Sequence, residues 1–385
     1  MGRPNKKILI DASNFFDGGG ITHLREITTA FLTLPDIEDI KLIIVGNTFA
    51  LSQVPDAPSL QKVHHPYLDK NIFYRTYFRR FLLVRSVPDF DILFDPGGGY
   101  FDTRVHYVTM SRNMLVFEKK EADRYGFSWM RLRLWLLNKL QTTSINGAQG
   151  VIFISQYAKQ YISALATIHP IRSTVIHHGA SRVFINIPRT QKSITEYSTS
   201  KPFKLLYVSI IDVYKHHDNL VSAVAILRQK YPIQLTLIGG YYHPSMTILQ
   251  KNLFEIKDAD QFIYYLGKKN WSELCDLYKD ADMFVFPSSC ENMPNILIEA
   301  MSAGLPIACS DRGPMPEFLK DAGVYFDPED SQSIAANIET MLLNPGIRAN
   351  MAKKAYEYAS QYDWSVCAKQ IIDFLISNIP PKKIK

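Results

Sequence analysis

Short, almost wholly apolar runs recur along the chain, and each ends in a polar or glycine-rich turn. KILID (7–11), KLIIVG (41–46), VIFIS (151–155), FKLLYVSII (203–211), MFVFP (283–287) and LPIACS (305–310) are runs of this kind, and IQLTLIGG (233–240) reads as a further strand. Positions that are apolar one after another, rather than in alternation, predict strands buried on both faces, as in a parallel sheet. Between the runs, apolar residues return at three- and four-residue spacing, at Ile21, Leu24, Ile27 and Phe31 and again at Leu220, Val224 and Leu227. Strand–helix–strand order in both halves predicts an α/β fold of two Rossmann-like, doubly wound domains. A chain of 385 residues is also too long for one typical core. The polar, Ser/Thr-rich segment 186–202 reads as the linker between domains at 1–185 and 203–363.

The densest pattern is MFVFPSSCENMPNILIEAMSAGLPIACSDRGPMPE, residues 283–317. A buried strand is followed by the polar turn 288–292, and Pro294 opens a helix in a first turn where its missing N–H costs nothing. Gly304 suits a left-handed cap, and Pro306 blocks any extension. This unit places a helix N-terminus at the carboxyl end of a strand, where open α/β sheets bind ligands and free N–H groups favour anions. Glu291 lies in the turn and Glu299 in the helix, with seven residues between them. Taken as a bare pair, they read as a partner of the helix dipole and a solvated helix residue.

Pro287-Ser288, Glu291, Glu299-Ala300-Met301, Gly304-Leu305-Pro306 and 313–317 (GPMPE) together resemble the donor-sugar motif of retaining family 4 glycosyltransferases, which have the GT-B fold. The resemblance implies two domains facing across a cleft, with a terminal helix (364–385) that crosses back to complete the first. It implies metal-independent transfer of a hexose from a nucleoside-diphosphate sugar, such as GDP-mannose or a UDP-sugar. The acceptor would be a hydroxyl of a glycan or lipid-linked molecule, as in surface polysaccharide or lipopolysaccharide assembly. Glu291 would hold hydroxyls of the sugar and Glu299 those of the ribose, while N–H groups near Asn292, Met293, Pro294 and Asn295 would face the diphosphate. Lys215 by itself reads as a solvated loop lysine, but it occupies the family's diphosphate-binding position. The family's arginine on the preceding strand end is missing, because that place reads Ser209-Ile210-Ile211. Ser209 is carried with the donor site.

In the N-terminal half, Gly18-Gly19-Gly20 joins the first strand to the first helix. It is neither a dinucleotide fingerprint nor a Walker loop. It reads either as a flexible connection or as an N–H cradle for a phosphate or sugar, and the resemblance favours the second for Gly19 and Gly20. Arg112-Asn113 stands where family members often have a His-Asp or His-Asn pair, and His178-Gly179 matches a loop that enters the cleft. These three side chains are candidate acceptor contacts, with a structural role open for His178. Two basic, aromatic stretches, 72–86 and 129–141, read as packed helices with snorkelling cations or as contacts with an anionic membrane surface. In the second, Trp129, Leu132, Leu136 and Leu140 make the apolar stripe.

Composition narrows the picture further. The net charge of +6 suits an anionic ligand and is too mild to indicate nucleic acid. Cys275, Cys290, Cys309 and Cys367 are scattered, without metal or disulfide spacing, which fits a reducing compartment. The short apolar run after MGRPN predicts a first strand rather than a signal peptide, and no run is long enough to span a bilayer. The expectation is a cytoplasmic enzyme, peripheral to the inner face of the membrane, with no cofactor and no metal. Asp280-Ala281-Asp282 precedes its strand and reads as a helix-to-strand turn. Two rival readings remain: a nucleotide-sugar epimerase, and a degenerate adaptor on the same fold.

Overall fold

The computed structural model describes residues 6–16, 18–35, 37–102 and 104–381. The MGRPN start, Asp17 of the first turn and residues 382–385 of the expected terminal helix lie outside the described residues. The chain divides into two compact units. The first comprises Met1–Phe117, Trp129–Gly179 and Tyr362–Lys385, and the second comprises Glu118–Ser128 and Ala180–Gln361.

In the first unit, strands β1 (Lys6–Ala12), β2 (Ile40–Gly46), β3 (Leu60–His64), β4 (Ile92–Asp95), β5 (Tyr107–Ser111), β6 (Gly150–Phe153) and β7 (Ser173–Val175) form one sheet. Its order is β3-β2-β1-β4-β5-β6-β7, and every pairing is parallel. The chain builds outward to β3 and then returns to lay β4 on the other side of β1. That reversal opens a switch point at the carboxyl ends of β1 and β4, the usual ligand position in such sheets. β3 has no counterpart among the apolar runs. It is an edge strand, and Leu60 is its one fully buried residue, so it lacks the apolar run that marks a central strand.

The glycine run is not a flexible connection. The helix begins at Gly18 and extends to Phe31, so the glycines are its first turn, entered through a left-handed Gly18 (φ +60°). The terminal helix Trp364–Ser377 belongs to this unit. Asp363 caps it, accepting from Ser365 N at 2.7 Å, and Phe374 lies so close to Gly150 that a Cβ there would come within 2.9 Å of its ring.

The second unit is built on β8 (Phe203–Val208), β9 (Ile233–Ile238), β10 (Ile263–Tyr265), β11 (Met283–Phe286), β12 (Ile307–Ser310) and β13 (Val324–Phe326). Their order is β10-β9-β8-β11-β12-β13, again all parallel, with the reversal between β8 and β11. Met283, Phe284, Val285 and Phe286 are all buried, as their unbroken apolarity requires. Segment 186–202 does not run free between two bodies. Asn186 N donates to Ser302 O (3.0 Å), Arg189 to Lys279 O (2.9 Å), and the buried Arg348 to the Gln191 side chain (3.2 Å). These bonds seat it on the second unit, and the change of unit falls earlier, at Gly179–Ala180.

Candidate active site

At the switch point of the second unit, two loops meet. One leaves β8 through the buried Ser209, makes a 3-10 turn over Val213–Lys215, and passes a left-handed His216 (φ 48°) into the helix His217–Arg228. The other leaves β11 through the buried residues Ser288, Ser289 and Cys290 to Glu291. Lys215 and Glu291, 76 positions apart, form an ion pair here. The Lys215 ammonium also lies over the Tyr214 ring (4.9 Å) and the Phe286 ring (5.8 Å), and Tyr207 donates its hydroxyl hydrogen to the Lys215 carbonyl (3.0 Å). Burial, reinforced by the charge of Lys215, pushes His217 down to about 3, so its ring is neutral at pH 7.

Asn292 and Met293 are buried, and Pro294 is the N-cap of the helix Asn295–Ser302. The Asn295 side-chain oxygen is buried without a hydrogen-bond partner. On the same helix, burial pushes the Glu299 carboxyl up to about 8, and the Tyr278 hydroxyl, 3.4 Å away, pulls weakly in the other direction. Asp280 and Asp282 lie at the other end of β11. Asp282 accepts from Lys204 N (2.9 Å) and the Tyr197 hydroxyl (3.0 Å), while Asp280 pairs with the Lys204 ammonium at 2.6 Å, so both serve the fold.

In the first unit, Gly20, Phe15 and Arg112 come together at the start of helix Gly18–Phe31. A Cβ on Gly20 would stand 3.0 Å from the Phe15 ring and 3.3 Å from the Arg112 guanidinium, whereas one on Gly19 would meet nothing within 4 Å. Arg112 lies over the Phe15 ring (5.2 Å) and donates to Pro96 O at 3.4 Å; burial pulls its pKa down to about 10. Asn113 turns its side chain back on the chain, accepting from Leu115 N (3.1 Å). His178 is buried between His23 (4.7 Å) and Trp364 (5.4 Å, stacked), so it anchors the terminal helix.

Arg79, within the basic stretch 72–86, belongs to the same switch point. It donates to Asp11 (2.7 Å) and Asp95 (3.2 Å), two buried carboxylates at the ends of β1 and β4, and Asp95 also accepts from Gly99 N and Tyr100 N at 2.7 Å. In the sequence, Asp11 closes the apolar run KILID and Asp95 closes the apolar residues 92–94 (ILF). The two basic, aromatic stretches do not pack as the apolar stripe predicted. Leu134, Gln141, Ser144 and Ile145 are buried, while Trp129, Leu132, Trp135 and Leu136 are exposed, as are Phe73, Tyr77 and Phe81 of the other stretch. The two stretches meet at Gly99, where a Cβ would be 3.3 Å from Leu140 and 3.6 Å from Arg79. Among the described residues, no helix is long and apolar enough to cross a membrane.

A parallel sheet whose switch point lies beside a helix N-terminus is the arrangement in which doubly wound α/β domains receive phosphate-bearing ligands. The family is specific: residues 189–358, which hold Lys215, Glu291 and Glu299, are a domain of the Glycosyl transferases group 1 family, and the two sheets together have the GT-B-type fold. The chain is 27% identical over 249 residues to O-antigen chain mannosyltransferase B of Escherichia coli, covering 63% of this chain and 64% of that one. It is 26% identical over 258 residues to sulfoquinovosyl transferase SQD2 of Arabidopsis thaliana, covering 64% and 48%. The match therefore spans less than two thirds of either relative. The crystal structure of Anabaena Alr3699/HepE in complex with UDP superposes with a TM-score of 0.68 at 18% identity, covering 97% of this chain and all of that one.

Proposed function

We propose that the chain is a retaining, metal-independent glycosyltransferase that moves a hexose from a nucleoside-diphosphate sugar to a hydroxyl of a glycan or lipid-linked acceptor. The observation that carries this reading is the Lys215–Glu291 pair at the β8/β11 switch point of a group 1 domain. Charge develops on the diphosphate as the glycosidic bond breaks, and a preorganised cation is worth most where that charge appears. Lys215 supplies it, with the N–H groups at the start of helix Asn295–Ser302, so the role that a metal ion plays in other transferases falls to this chain's own groups. Glu291 accepts from hydroxyls of the departing sugar and Glu299 from those of the ribose. Gly19 leaves room for a ligand at the first unit's helix N-terminus, and Arg112 and Asn113 stand near the acceptor.

The mannosyltransferase relative supports a hexose and surface-polysaccharide chemistry, and the UDP complex of the structural neighbour supports a nucleoside-diphosphate donor. The assay is a panel of UDP- and GDP-sugars in the presence of chelator, following diphosphate release with and without candidate acceptors, with the anomeric configuration of the product read by NMR. Release from one donor, lost in Lys215→Ala and Glu291→Ala, is the expected result. No release and no diphosphate binding from any donor would refute it.

The exposed rings of 72–86 and 129–141, interleaved with Arg80, Arg85, Arg131, Arg133 and Lys139, suit the headgroup layer of an anionic membrane on its cytoplasmic face. Sedimentation with phosphatidylglycerol vesicles that weakens with salt, and with Trp135→Ser, is the expected behaviour. Equal recovery with neutral vesicles would remove the membrane from the reading.

A further inference from the structure

Segment Glu118–Ser128 lies between two portions of the first unit in sequence, yet it belongs to the second unit. Its short helix, Lys119–Asp123, is tied there by charge: Lys120 and Arg124 both pair with Glu329, at 3.0 and 2.9 Å. Arg124 also donates to Glu121 at 2.7 Å. The Tyr125 ring meets that of Tyr242 at 5.5 Å. These bonds present the buried Glu121 carboxylate to one hydroxyl, that of Ser289, at 2.6 Å.

Ser289 is the hub of the Lys215 loop. Its N–H donates to the Tyr214 carbonyl (2.9 Å), and its Oγ lies 2.8 Å from His216 Nε2 and 3.2 Å from the same Tyr214 carbonyl. A serine hydroxyl has a single hydrogen and accepts through its oxygen. Glu121, the shortest and the charged acceptor, takes that hydrogen. Burial lowers the pKa of His216, and because the serine hydrogen goes to Glu121, the His216 Nε2–H donates to the serine oxygen. One residue thus holds both neighbours of Lys215: its N–H holds the Tyr214 carbonyl, and its hydroxyl oxygen holds the ring of the left-handed His216 that turns the chain into the following helix.

The geometry points to Glu121 as a positioning residue for Lys215, acting through Ser289, on a strap that the first half of the chain lends to the donor domain. This inference rests on the proposed function, because it assigns Lys215 to the diphosphate. The glutamate touches no part of a donor itself. It orients the serine hydroxyl, whose oxygen holds the ring of His216, the residue that follows Lys215 in the chain.

The test compares the affinities of UDP and GDP with those of uridine and guanosine, in Glu121→Ala, Glu121→Gln and Ser289→Ala, each checked by thermal melting. Losing a hydrogen bond to a charged group should weaken diphosphate binding about tenfold in Ser289→Ala and Glu121→Ala, with nucleoside binding within about twofold of wild type. Glu121→Gln, whose amide oxygen still accepts, should stay near wild type. Unchanged diphosphate binding in Ser289→Ala, or equal losses for nucleoside and diphosphate, would overturn the role of Glu121. A wild-type protein that binds neither diphosphate overturns the transferase reading itself. If Glu121→Ala fails to fold, Ser289→Ala, which removes one oxygen, carries the test.

Discussion

The ammonium of Lys215 and the carboxylate of Glu291 are in direct contact, although 76 positions separate them along the chain. The contact fixes the lysine's direction and also neutralises part of its charge, so a diphosphate bound as proposed would share Lys215 with Glu291. The two residues should therefore separate in function when each is changed.

Lys215→Ala removes attraction for the ground state and for the developing charge alike. We expect kcat/KM to fall by about 10²–10³, each tenfold step being about 1.4 kcal/mol. Glu291→Gln should lower turnover yet leave diphosphate affinity equal to wild type or tighter, because the lysine loses its competitor. Equilibrium binding of UDP and GDP beside steady-state kinetics separates the two effects, and parallel losses in both variants would contradict this division.

Glu299 gives a pH signature. Its carboxyl is pushed up to about 8 by burial, above the 4.5 of an unperturbed glutamate. Below pH 4.5 the group is protonated in both folded and unfolded chains. As pH rises from 4.5 through 8, the unfolded chain ionises first, so the folded state loses stability across that window. Glu299→Gln should therefore raise Tm relative to wild type at pH 9 and match it at pH 4.5. If ribose hydroxyls donate to the ionised carboxylate, nucleotide binding at pH 7 should release a proton. Calorimetry in buffers of different ionisation enthalpy measures that release, and it should vanish in Glu299→Gln.

Gly19 and Gly20 are adjacent but not equivalent. Alanine at 20 would press on Phe15 and Arg112, whereas alanine at 19 enters open space. Gly20→Ala should lower Tm. Gly19→Ala should hold or raise it, since alanine is favoured over glycine in a helix by roughly 0.5–1 kcal/mol. If the first helical turn receives the ligand, Gly19→Ala should still reduce kcat/KM at least about tenfold, because a methyl group would stand between the backbone N–H groups and the phosphate. Full activity in a stable Gly19→Ala would remove that turn from the site.

Arg79 is the counter-charge of two buried carboxylates, Asp11 and Asp95. Removing one partner of a buried pair typically costs about 3–5 kcal/mol, because the remaining charge is left uncompensated. Arg79→Ala should therefore lose roughly that much stability in urea melts, and Asp95→Asn should lose less, since Asp11 still meets the arginine. Wild-type stability in Arg79→Ala would show that the triad contributes nothing to the fold.

The central strands were legible because a strand with neighbours on both sides and helices on both faces must be apolar at every position. β1, β2, β8, β11 and β12 announce themselves by such near-unbroken apolar runs. β3 did not, because an edge strand with one buried residue carries no such mark. The Glu291–Glu299 spacing was legible for the same local reason, since one strand–turn–helix unit contains both residues. The helical stripe of 129–141 misled, because spacing shows that a face is apolar and not which face is covered. Trp129, Leu132 and Leu136 are apolar and exposed, while Gln141 and Ser144 of the same helix are buried.

By itself, then, the sequence determined which segments become strands and helices, and where a strand end meets a helix start with glycines and acidic groups at hand. Those are properties of neighbouring residues, set by backbone sterics and by the apolarity that burial demands. Only the tertiary structure decided that Lys215 meets Glu291, that Arg79 bridges Asp11 and Asp95, and that Glu121 reaches Ser289 from another part of the chain. Each of these contacts depends on the order of strands in a sheet or on where a segment docks. The energy that selects that order comes from the closing of a whole core, and no local pattern of residues encodes it.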